Sequence, residues 1–269
     1  MEFPKTLIKR NGYIERIKPF MRKNIAKVLT GQRRVGKSFL LYQLMDQLLV
    51  EEPDANIIYI NFEDFAFSHI QTAEDMHAYI MSKFRKEKYN YIFVDEIQEI
   101  VNFERVIRSL LLNENNDIYI TGSNAKMLSG ELATYLSGRY IEFSVYSLSY
   151  LEFLAFHKLE NNNESLYLYS RYGGLPYLIN LPLKDETVNE YLKSVYSTIV
   201  FRDVVSRYNL RNSSFLEKLV QFLSENIGNL FSAKNISDYL KSQHSTISVN
   251  QIQTVSYTHL RAHETSLHL

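Results

Sequence analysis

Residues 31–38 read Gly31-Gln32-Arg33-Arg34-Val35-Gly36-Lys37-Ser38 and fit the P-loop pattern G-x-x-x-x-G-K-[ST] at every fixed position. Residues 26–30 before them read as a short buried strand, and the apolar residues after them recur at helical spacing. The motif requires this order of strand, loop and helix, which makes a chance glycine-rich turn the weaker interpretation. The stretch therefore predicts a nucleotide-binding protein.

The residue types of the loop explain how it would hold ATP. Glycines at 31 and 36 allow the backbone N–H groups to turn inward, and the following helix adds its positive N-terminal end. Lys37 would reach the β- and γ-phosphates, and the Ser38 hydroxyl would take one coordination place on Mg²⁺. The candidate nucleotide-binding residues are Gly31, Gln32, Arg33, Arg34, Val35, Gly36, Lys37, Ser38 and Phe39.

An acidic pair follows the third predicted strand. The apolar run 91–94 ends directly in Asp95 and Glu96, which is the Walker B pattern of P-loop ATPases. Asp95 would hold Mg²⁺, mostly through water, and Glu96 would orient and deprotonate the attacking water. A strand that ends in a solvated acidic turn is the alternative, and the P-loop upstream favours the catalytic interpretation.

Polar residues end the fourth predicted strand. The apolar run 118–120 is followed by Thr121-Gly122-Ser123-Asn124. In P-loop ATPases a polar side chain at the tip of the strand beside Walker B touches the γ-phosphate or the attacking water, and Ser123 is the first candidate for that role. Asn124 and Thr121 are its rivals, and a simple turn with a helix cap remains an alternative for the segment.

An arginine precedes the fifth predicted strand, which begins at Tyr140. Arg139 is a candidate arginine finger, because its planar guanidinium group would neutralise charge that develops on the transferred phosphoryl group. From spacing alone, an ordinary surface arginine is the stronger interpretation.

The order of the predicted elements indicates the fold class. Repeated strand and helix units, with a P-loop after the first strand, predict an α/β P-loop NTPase fold in which a parallel sheet lies between helices. Ligands bind such sheets at the carboxyl ends of the strands. Residues 1–147 are predicted to form this ATPase domain.

The pattern becomes helical from Leu148 onward and shows no obvious strand. We predict a helical region over 148–228 and a partial winged helix over 229–254. A helix, a turn and a second helix start can bind DNA, but the same arrangement is a common packing motif, and the small number of basic residues favours packing. The residues that would permit DNA binding are Arg202, Arg207, Arg211, Lys218, Lys234 and Lys241.

Composition restricts the function classes further. Thirty basic residues balance thirty acidic ones in the 269-residue chain, so the whole chain carries no electrostatic footprint for nucleic acid or membrane. The absence of cysteine excludes disulfides and thiol catalysis. No apolar run is long enough to span a bilayer, and the N-terminus lacks the apolar core of a secretory signal. The expected location is the cytoplasm.

Six motifs occur in order along the chain, and together they resemble one protein family. The motifs are Gly31-Gln-Arg-Arg-Val-Gly-Lys-Ser38, Ile92-Phe-Val-Asp-Glu-Ile97, Ile120-Thr-Gly-Ser-Asn124, Leu136-Ser-Gly-Arg139, Leu148-Ser-Tyr-Leu-Glu-Phe153 and Gly173-Gly-Leu-Pro176. From about residue 10 to 254 the chain resembles the prokaryotic AAA-type P-loop ATPases that carry a C-terminal domain of unknown function. The resemblance implies an AAA+/STAND-like ATPase core, then a helical and winged-helix region. It implies a restriction-endonuclease-like domain in full-length members, and it strengthens Arg139 as a finger.

The last residues depart from the family pattern. The stretch 256–269 loses apolar periodicity and resembles the translated adapter read-through found at the ends of some gene models. We therefore expect residues 255–269 to be a non-native tail and the natural protein to continue differently after about Thr254. Three histidines of this tail are not expected to form a metal site: His259, His263 and His268.

Three functions fit these features. The first is a Mg²⁺-dependent ATPase whose turnover drives or gates a conformational change in the C-terminal domain, with a homo-oligomer required if Arg139 acts across subunits. The second is an ATP-gated DNA-binding regulator with slow or no turnover. The third, a P-loop kinase, is disfavoured by the acidic pair at 95 and 96, because a kinase must exclude water.

Overall fold

The computed structural model describes residues 4, 7–122, 136, 138–199, 213–226, 229 and 232–242, with only the backbone at 213–216. By its internal contacts the chain separates into two units, Met1–Pro182 and Leu183–Leu269. The predicted non-native tail lies outside the described residues.

A five-stranded parallel sheet forms the centre of the first unit. The strands are β1 (Ala26–Thr30), β2 (Asn56–Asn61), β3 (Asn90–Asp95), β4 (Asn116–Gly122) and β5 (Tyr140–Ser144). Their order across the sheet is β2-β3-β4-β1-β5, and all four neighbouring pairs are parallel. The predicted α/β P-loop NTPase fold is confirmed.

Helices cover both faces of the sheet. The helices of the first unit are α1 (Asn11–Ile17), α2 (Lys37–Glu51), α3 (Ala73–Ser82), α4 (Phe103–Leu110), α5 (Tyr150–His157) and α6 (Asn163–Tyr172), with 3-10 turns at Lys18–Phe20, Phe65–Phe67, Ile97–Glu99 and Pro176–Asn180. One apolar cluster joins α1 and α2 to the sheet, and a second cluster joins α3 and α4 to it. The central strands β1, β3 and β4 are buried along their whole length, as parallel strands covered on both faces should be.

Alternation along β3 shows how one strand serves both clusters. Ile92 and Val94 lie in the cluster with α3 and α4, whereas Tyr91 and Phe93 lie in the cluster with α1 and α2. The Phe93 ring stacks on that of Tyr119 in β4, with ring centroids 4.5 Å apart. Successive side chains of a strand point to opposite faces, so an unbroken apolar run is the pattern that this position in the sheet requires.

A buried ion pair lies near the amino ends of β1 and β4. The Lys27 ammonium donates to Asp117 and to the carbonyl oxygen of Ile25 at 2.8 Å. Asp117 also accepts hydrogen bonds from the Tyr119 hydroxyl at 2.8 Å and from the backbone N–H of Arg22 at 2.7 Å. Burial lowers the pKa of Lys27, and Asp117 opposes that effect. Both charged side chains have hydrogen-bond partners, which a buried ion pair requires to be tolerated.

The described part of the second unit is helical. Its helices are α7 (Asp185–Thr198), α8 (Ser213–Glu225) and α9 (Ala233–Ser242). The rings of Phe222 in α8 and Tyr239 in α9 lie 4.9 Å apart, and Ile236 and Leu240 of α9 are buried. The helical character predicted for this region is confirmed. Residues 243–254 of the predicted winged helix lie outside the described part, so the winged helix stays a prediction.

The contacts place the division between units at Pro182, whereas the sequence predicts a domain boundary near residue 147. Helices α5 and α6 lie in the first unit, where the backbone N–H of Leu148 donates to the carbonyl oxygen of Gly174 at 2.7 Å. The predicted domain limits stay a prediction.

Among the described residues, no helix combines the length and the apolar character needed to cross a lipid bilayer.

Candidate nucleotide-binding site

The loop at residues 31–36 joins β1 to α2 and has the backbone of a tight turn. Gly31 has φ +143°, and a Cβ atom placed there would lie 2.2 Å from the carbonyl oxygen of Val145. Gly36 has φ +96° and precedes the first residue of α2. Because a side chain at either position would be strained or would collide, both glycines of the motif are required by the backbone itself.

Lys37 lies buried over the loop, with 4% of its side chain exposed. Its Nζ donates to the carbonyl oxygens of Gly31 and Gln32, at 3.0 Å each, and lies 3.8 Å from Oε1 of Glu96. Burial lowers the pKa of this ammonium group, whereas Glu96 and Asp95 raise it. Lys37 is therefore a buried cation beside the acidic pair, and its contact with the phosphates stays a prediction.

Asp95 ends β3 and is 1% exposed. Burial raises the pKa of its carboxyl group, and hydrogen bonds with the hydroxyl groups of Ser38 and Thr121 oppose that rise. Ser38 and Asp95 thus bring a hydroxyl and a carboxylate oxygen together, and such hard oxygen donors suit Mg²⁺. In the described part of the chain, no group of three or more histidine and acidic side chains could hold a metal ion.

Glu96 has an unusual backbone conformation, with φ 53° and ψ 48°. Its N–H donates to the Thr121 hydroxyl at 3.0 Å, and its carboxylate accepts a hydrogen bond from Gln98. A left-handed conformation in a residue other than glycine costs free energy and occurs often at functional sites. The turn directs the Glu96 side chain toward Lys37. Only 7% of the residue is exposed.

Thr121 of β4 binds both members of the acidic pair. Its hydroxyl donates to Asp95 and accepts from the backbone N–H of Glu96, so its one proton is already used. Its rivals for the phosphate-contacting role, Ser123 and Asn124, lie outside the described residues. The role predicted for Ser123 stays a prediction.

The remaining loop residues lie around this centre. Arg33 forms an ion pair with Glu63 after β2, with 3.3 Å between Nη1 and Oε1. Val35 is buried, and Arg34 is exposed with φ +67°. Phe39 is half exposed, with its ring edge-on to that of Tyr42 at 6.0 Å.

Arg139 lies away from the other predicted site residues. It directly precedes β5, and its carbonyl oxygen accepts a hydrogen bond from Ala26, the first residue of β1, at 3.0 Å. The P-loop follows the opposite end of β1, roughly 16 Å away for five residues at ~3.3 Å each. The side chain of Arg139 is exposed. The structure does not bring Arg139 to the P-loop of its own chain.

Arg10, which was not predicted as a site residue, joins the P-loop to helix α5. Its guanidinium group donates to both carboxylate oxygens of Glu152, at 2.8 and 3.0 Å, and to the carbonyl oxygens of Val35 and Tyr146, at 3.1 and 3.0 Å. Burial raises the pKa of Glu152, but the bonds from Arg10 and Ser149 outweigh it and lower the pKa overall. The S-x-x-E capping box at Ser149 marked the carboxylate in the sequence, but no pattern marked the arginine.

Comparison with known proteins gives two family matches. A family model described as an AAA domain matches residues 23–154, and a domain of unknown function matches residues 163–252. An uncharacterized protein of Haemophilus influenzae is 36% identical over 246 residues, which are 89% of this chain and 61% of that protein. An uncharacterized protein of Methanocaldococcus jannaschii is 31% identical over 240 residues, 84% of this chain and 52% of that protein. The chain thus spans a little more than half of the length of these relatives.

Two solved structures align with most of this chain. The Cdc6p protein of Pyrobaculum aerophilum gives a TM-score of 0.45 at 13% identity, and the alignment covers 97% of this chain and 87% of that one. The DnaA protein of Aquifex aeolicus, solved with AMPPCP, gives a TM-score of 0.45 at 15% identity, and the alignment covers 96% of this chain and 94% of that one. The P-loop, the acidic pair beside it and the matched AAA domain place the chain in the AAA-type P-loop ATPase family, with a C-terminal domain of unknown function.

Proposed function

We propose that the protein binds ATP with Mg²⁺ and hydrolyses it, and that turnover drives or gates a conformational change in its C-terminal region. The convergence of four side chains supports this most strongly. Lys37 lies 3.8 Å from Glu96, and Ser38 shares a hydrogen bond with Asp95. A cation, a hydroxyl group and two carboxylates at one edge of a parallel sheet are the groups that phosphoryl transfer to water requires.

Binding of ATP would give Lys37 stronger hydrogen-bond acceptors than the two it has. Its ammonium group donates to two loop carbonyl oxygens, which carry only partial charge. The β- and γ-phosphates would replace them with full negative charge, in a buried site where charge-assisted hydrogen bonds are strong. The N-terminus of α2 would contribute its backbone N–H groups and its dipole.

The oxygen atoms of Ser38 and Asp95 would hold Mg²⁺ together with the phosphates. Bound there, the ion would neutralise charge on the β- and γ-phosphoryl oxygens. Burial disfavours the ionised form of Asp95, and a cation beside the carboxylate would restore that form.

Glu96 is the residue we assign to the attacking water. Its carboxylate would orient the water in line with the bond to be broken and accept its proton, while the phosphate would leave ADP. Positioning and charge neutralisation would lower the barrier, since the protein forms no covalent bond to the phosphoryl group.

Arg139 would complete the site only in an assembly. Because β1 separates it from its own P-loop, a role as an arginine finger needs a second copy of the chain placed so that Arg139 meets the neighbour's ATP. We therefore propose a homo-oligomer in which turnover depends on protein concentration.

The contacts of Arg10 offer a route from the P-loop to the helical region. One guanidinium group binds the loop at Val35 and the first turn of α5 at Glu152. A shift of the loop on phosphate binding would therefore pull on α5. We propose this bridge as the first step of the conformational output.

Two variants test the proposal by separating binding from turnover. Lys37→Ala should lose ATP binding, because the buried cation that faces the phosphates is gone. Glu96→Gln should keep ATP binding and slow turnover by at least ~10²-fold, the lower end of the range for general acid–base catalysis. ATP affinity is measured with a fluorescent analogue and turnover by phosphate release. Glu96→Gln with weakened binding and normal turnover would contradict the assignment.

The same measurements distinguish the DNA-binding alternative. A regulator gated by ATP would bind ATP tightly and release no phosphate at any protein concentration. Its affinity for duplex DNA would fall with rising salt, because phosphate contacts release counterions. Turnover without salt-dependent DNA binding would leave the ATPase as the function.

A further inference from the structure

Gln98 holds the carboxylate of Glu96. It lies in the 3-10 turn Ile97–Glu99 directly after β3, and its side-chain Nε2 donates to Oε2 of Glu96. The other carboxylate oxygen faces Lys37 at 3.8 Å. The carboxylate that we assign to the attacking water is therefore held from two sides, by a cation and by an amide.

The other atom of the same amide has no partner. Oε1 of Gln98 is buried and makes no hydrogen bond to any described residue. Rotating the amide by 180° would not repair this, because it would bring a carbonyl oxygen against a carboxylate oxygen. The Gln98 side chain thus leaves its carbonyl oxygen buried and unpaired, which costs stability. In the same orientation its Nε2 donates to Glu96. Such local costs are typical of functional sites.

From these two observations we propose that Gln98 is a positioning residue for ATP hydrolysis, which fixes the Glu96 carboxylate in the orientation from which it takes the proton of the attacking water. The inference rests on the proposed function. In the step itself, water oxygen bonds to the γ-phosphorus, the bond from that phosphorus to the bridging oxygen breaks, and ADP leaves with the bonding electrons. Glu96 receives the water proton, and Gln98 exchanges no atom or electron.

The backbone at Glu96 makes this bond important. Residue 96 is in the left-handed region and its N–H is bound by Thr121, so the start of the side chain is fixed. The carboxylate group can still rotate about the side-chain bonds of Glu96. The hydrogen bond from the Gln98 amide restrains that rotation. A displacement of about 1 Å at a reacting group can cost ~10²-fold in rate.

The test uses Gln98→Met, which keeps the length of the side chain and removes the donor, in the full chain. We expect kcat to fall by about 10- to 100-fold, with ATP affinity and KM within about twofold of the unaltered protein. Gln98→Glu, which replaces the donor with an acceptor of equal size, should lose at least as much. Gln47→Met is the matched control, because Gln47 donates to Glu51 in the same way at 2.9 Å on the exposed face of α2. It should leave kcat unchanged.

A second background shows whether Gln98 acts through Glu96. In Glu96→Gln, single-turnover assays with labelled ATP measure the slow residual rate, and adding Gln98→Met should change that rate by less than about twofold, since the group that it positions is already gone. A merely structural role would reduce the rate by the same factor in both backgrounds.

The outcomes separate the inference from the proposed function. Turnover by the unaltered chain together with an unchanged kcat in Gln98→Met overturns the inference and leaves the ATPase standing. An equal loss in the Glu96→Gln background, or a rise in KM without a fall in kcat, overturns it as well. No turnover by the unaltered chain overturns the proposed function, and the inference falls with it.

Discussion

Two features of the structure require glycine at residue 31: a positive φ angle and a close contact with another backbone segment. Other glycines of the first unit show only one of these features, so the effect of each can be measured separately. At Gly31 the backbone has φ +143° and a Cβ would lie 2.2 Å from the carbonyl oxygen of Val145. Gly138 has only the positive φ, of +74°, and Gly174 has only the close contact, at 2.2 Å from the carbonyl oxygen of Leu148. Gly12 has neither, and no described atom lies within 4 Å of its added Cβ.

These geometries set the expected changes in the free energy of unfolding on substitution by alanine. Gly12→Ala lies in α1 and should stabilise by ~0.4–1 kcal/mol, because alanine restricts the unfolded chain and favours the helix. Gly138→Ala should cost about 1–3 kcal/mol for backbone strain. Gly174→Ala should cost ~1–3 kcal/mol for overpacking. Gly31→Ala combines both demands and should cost about 2–6 kcal/mol.

Urea unfolding of the four variants, followed by far-ultraviolet circular dichroism, measures these differences from the midpoint at unchanged slope. All four sites lie in the first unit, so each variant is compared in the same transition. A Gly31→Ala protein as stable as Gly12→Ala would show that neither the backbone conformation nor the contact with Val145 requires glycine at residue 31. A Gly138→Ala protein as unstable as Gly31→Ala would show that the contact with Val145 is irrelevant.

Three further predictions concern charged groups. Asp117→Ala leaves the buried Lys27 ammonium without its carboxylate, and urea unfolding should show a loss of about 3–5 kcal/mol; a loss under ~1 kcal/mol would contradict the burial of that pair. The folded-state pKa of Glu152 lies below 4.5, so its contribution is complete above about pH 4.5 and lost as the pH falls through the folded value. Unfolding free energies should therefore favour the unaltered protein over Glu152→Gln near neutral pH and converge on acidification, and a gap independent of pH would disprove the assignment. Arg139→Ala should bind ATP normally and lose ~10³-fold or more in phosphate release; if it keeps full turnover, the arginine is an ordinary surface residue.

The sequence was sufficient for the sheet and for the centre of the site because both depend on local patterns. The P-loop fixes residue types within eight positions, and Asp95 and Glu96 follow directly from the strand that carries them. The carboxyl ends of parallel strands lie at the same edge of a sheet. Placing β1 and β3 in one parallel sheet is therefore enough to predict that Lys37 lies near Glu96. An uninterrupted apolar run likewise predicts a covered strand such as β3.

Interactions between distant segments were beyond that reasoning. Arg10 meets Glu152 across 142 positions of the chain, and Lys27 meets Asp117 across 90. One charged residue in an apolar run, such as Lys27 in the strand 26–30, carries no sign of its partner. Gln98 was missed for another reason: its role depends on the orientation of a side chain two residues away, which a motif does not encode.

Arg139 shows what spacing and resemblance can and cannot supply. The motif that ends at residue 139 marked it as a finger, but only the register of β1 with β5, in which Ala26 pairs with Tyr140, places it at the edge of the sheet remote from its own P-loop. Whether a site is completed within one chain is a matter of three-dimensional register, which residue types alone do not fix.

Every role proposed for this site depends on the hydrolysis of ATP with Mg²⁺. The decisive measurement is steady-state phosphate release over a range of protein concentrations, beside a Lys37→Ala control. We expect turnover per subunit to rise with concentration, because Arg139 acts across subunits, and to vanish in the control. Tight ATP binding without phosphate release at any concentration, or equal release by Lys37→Ala, would show that the site does not hydrolyse ATP in this way.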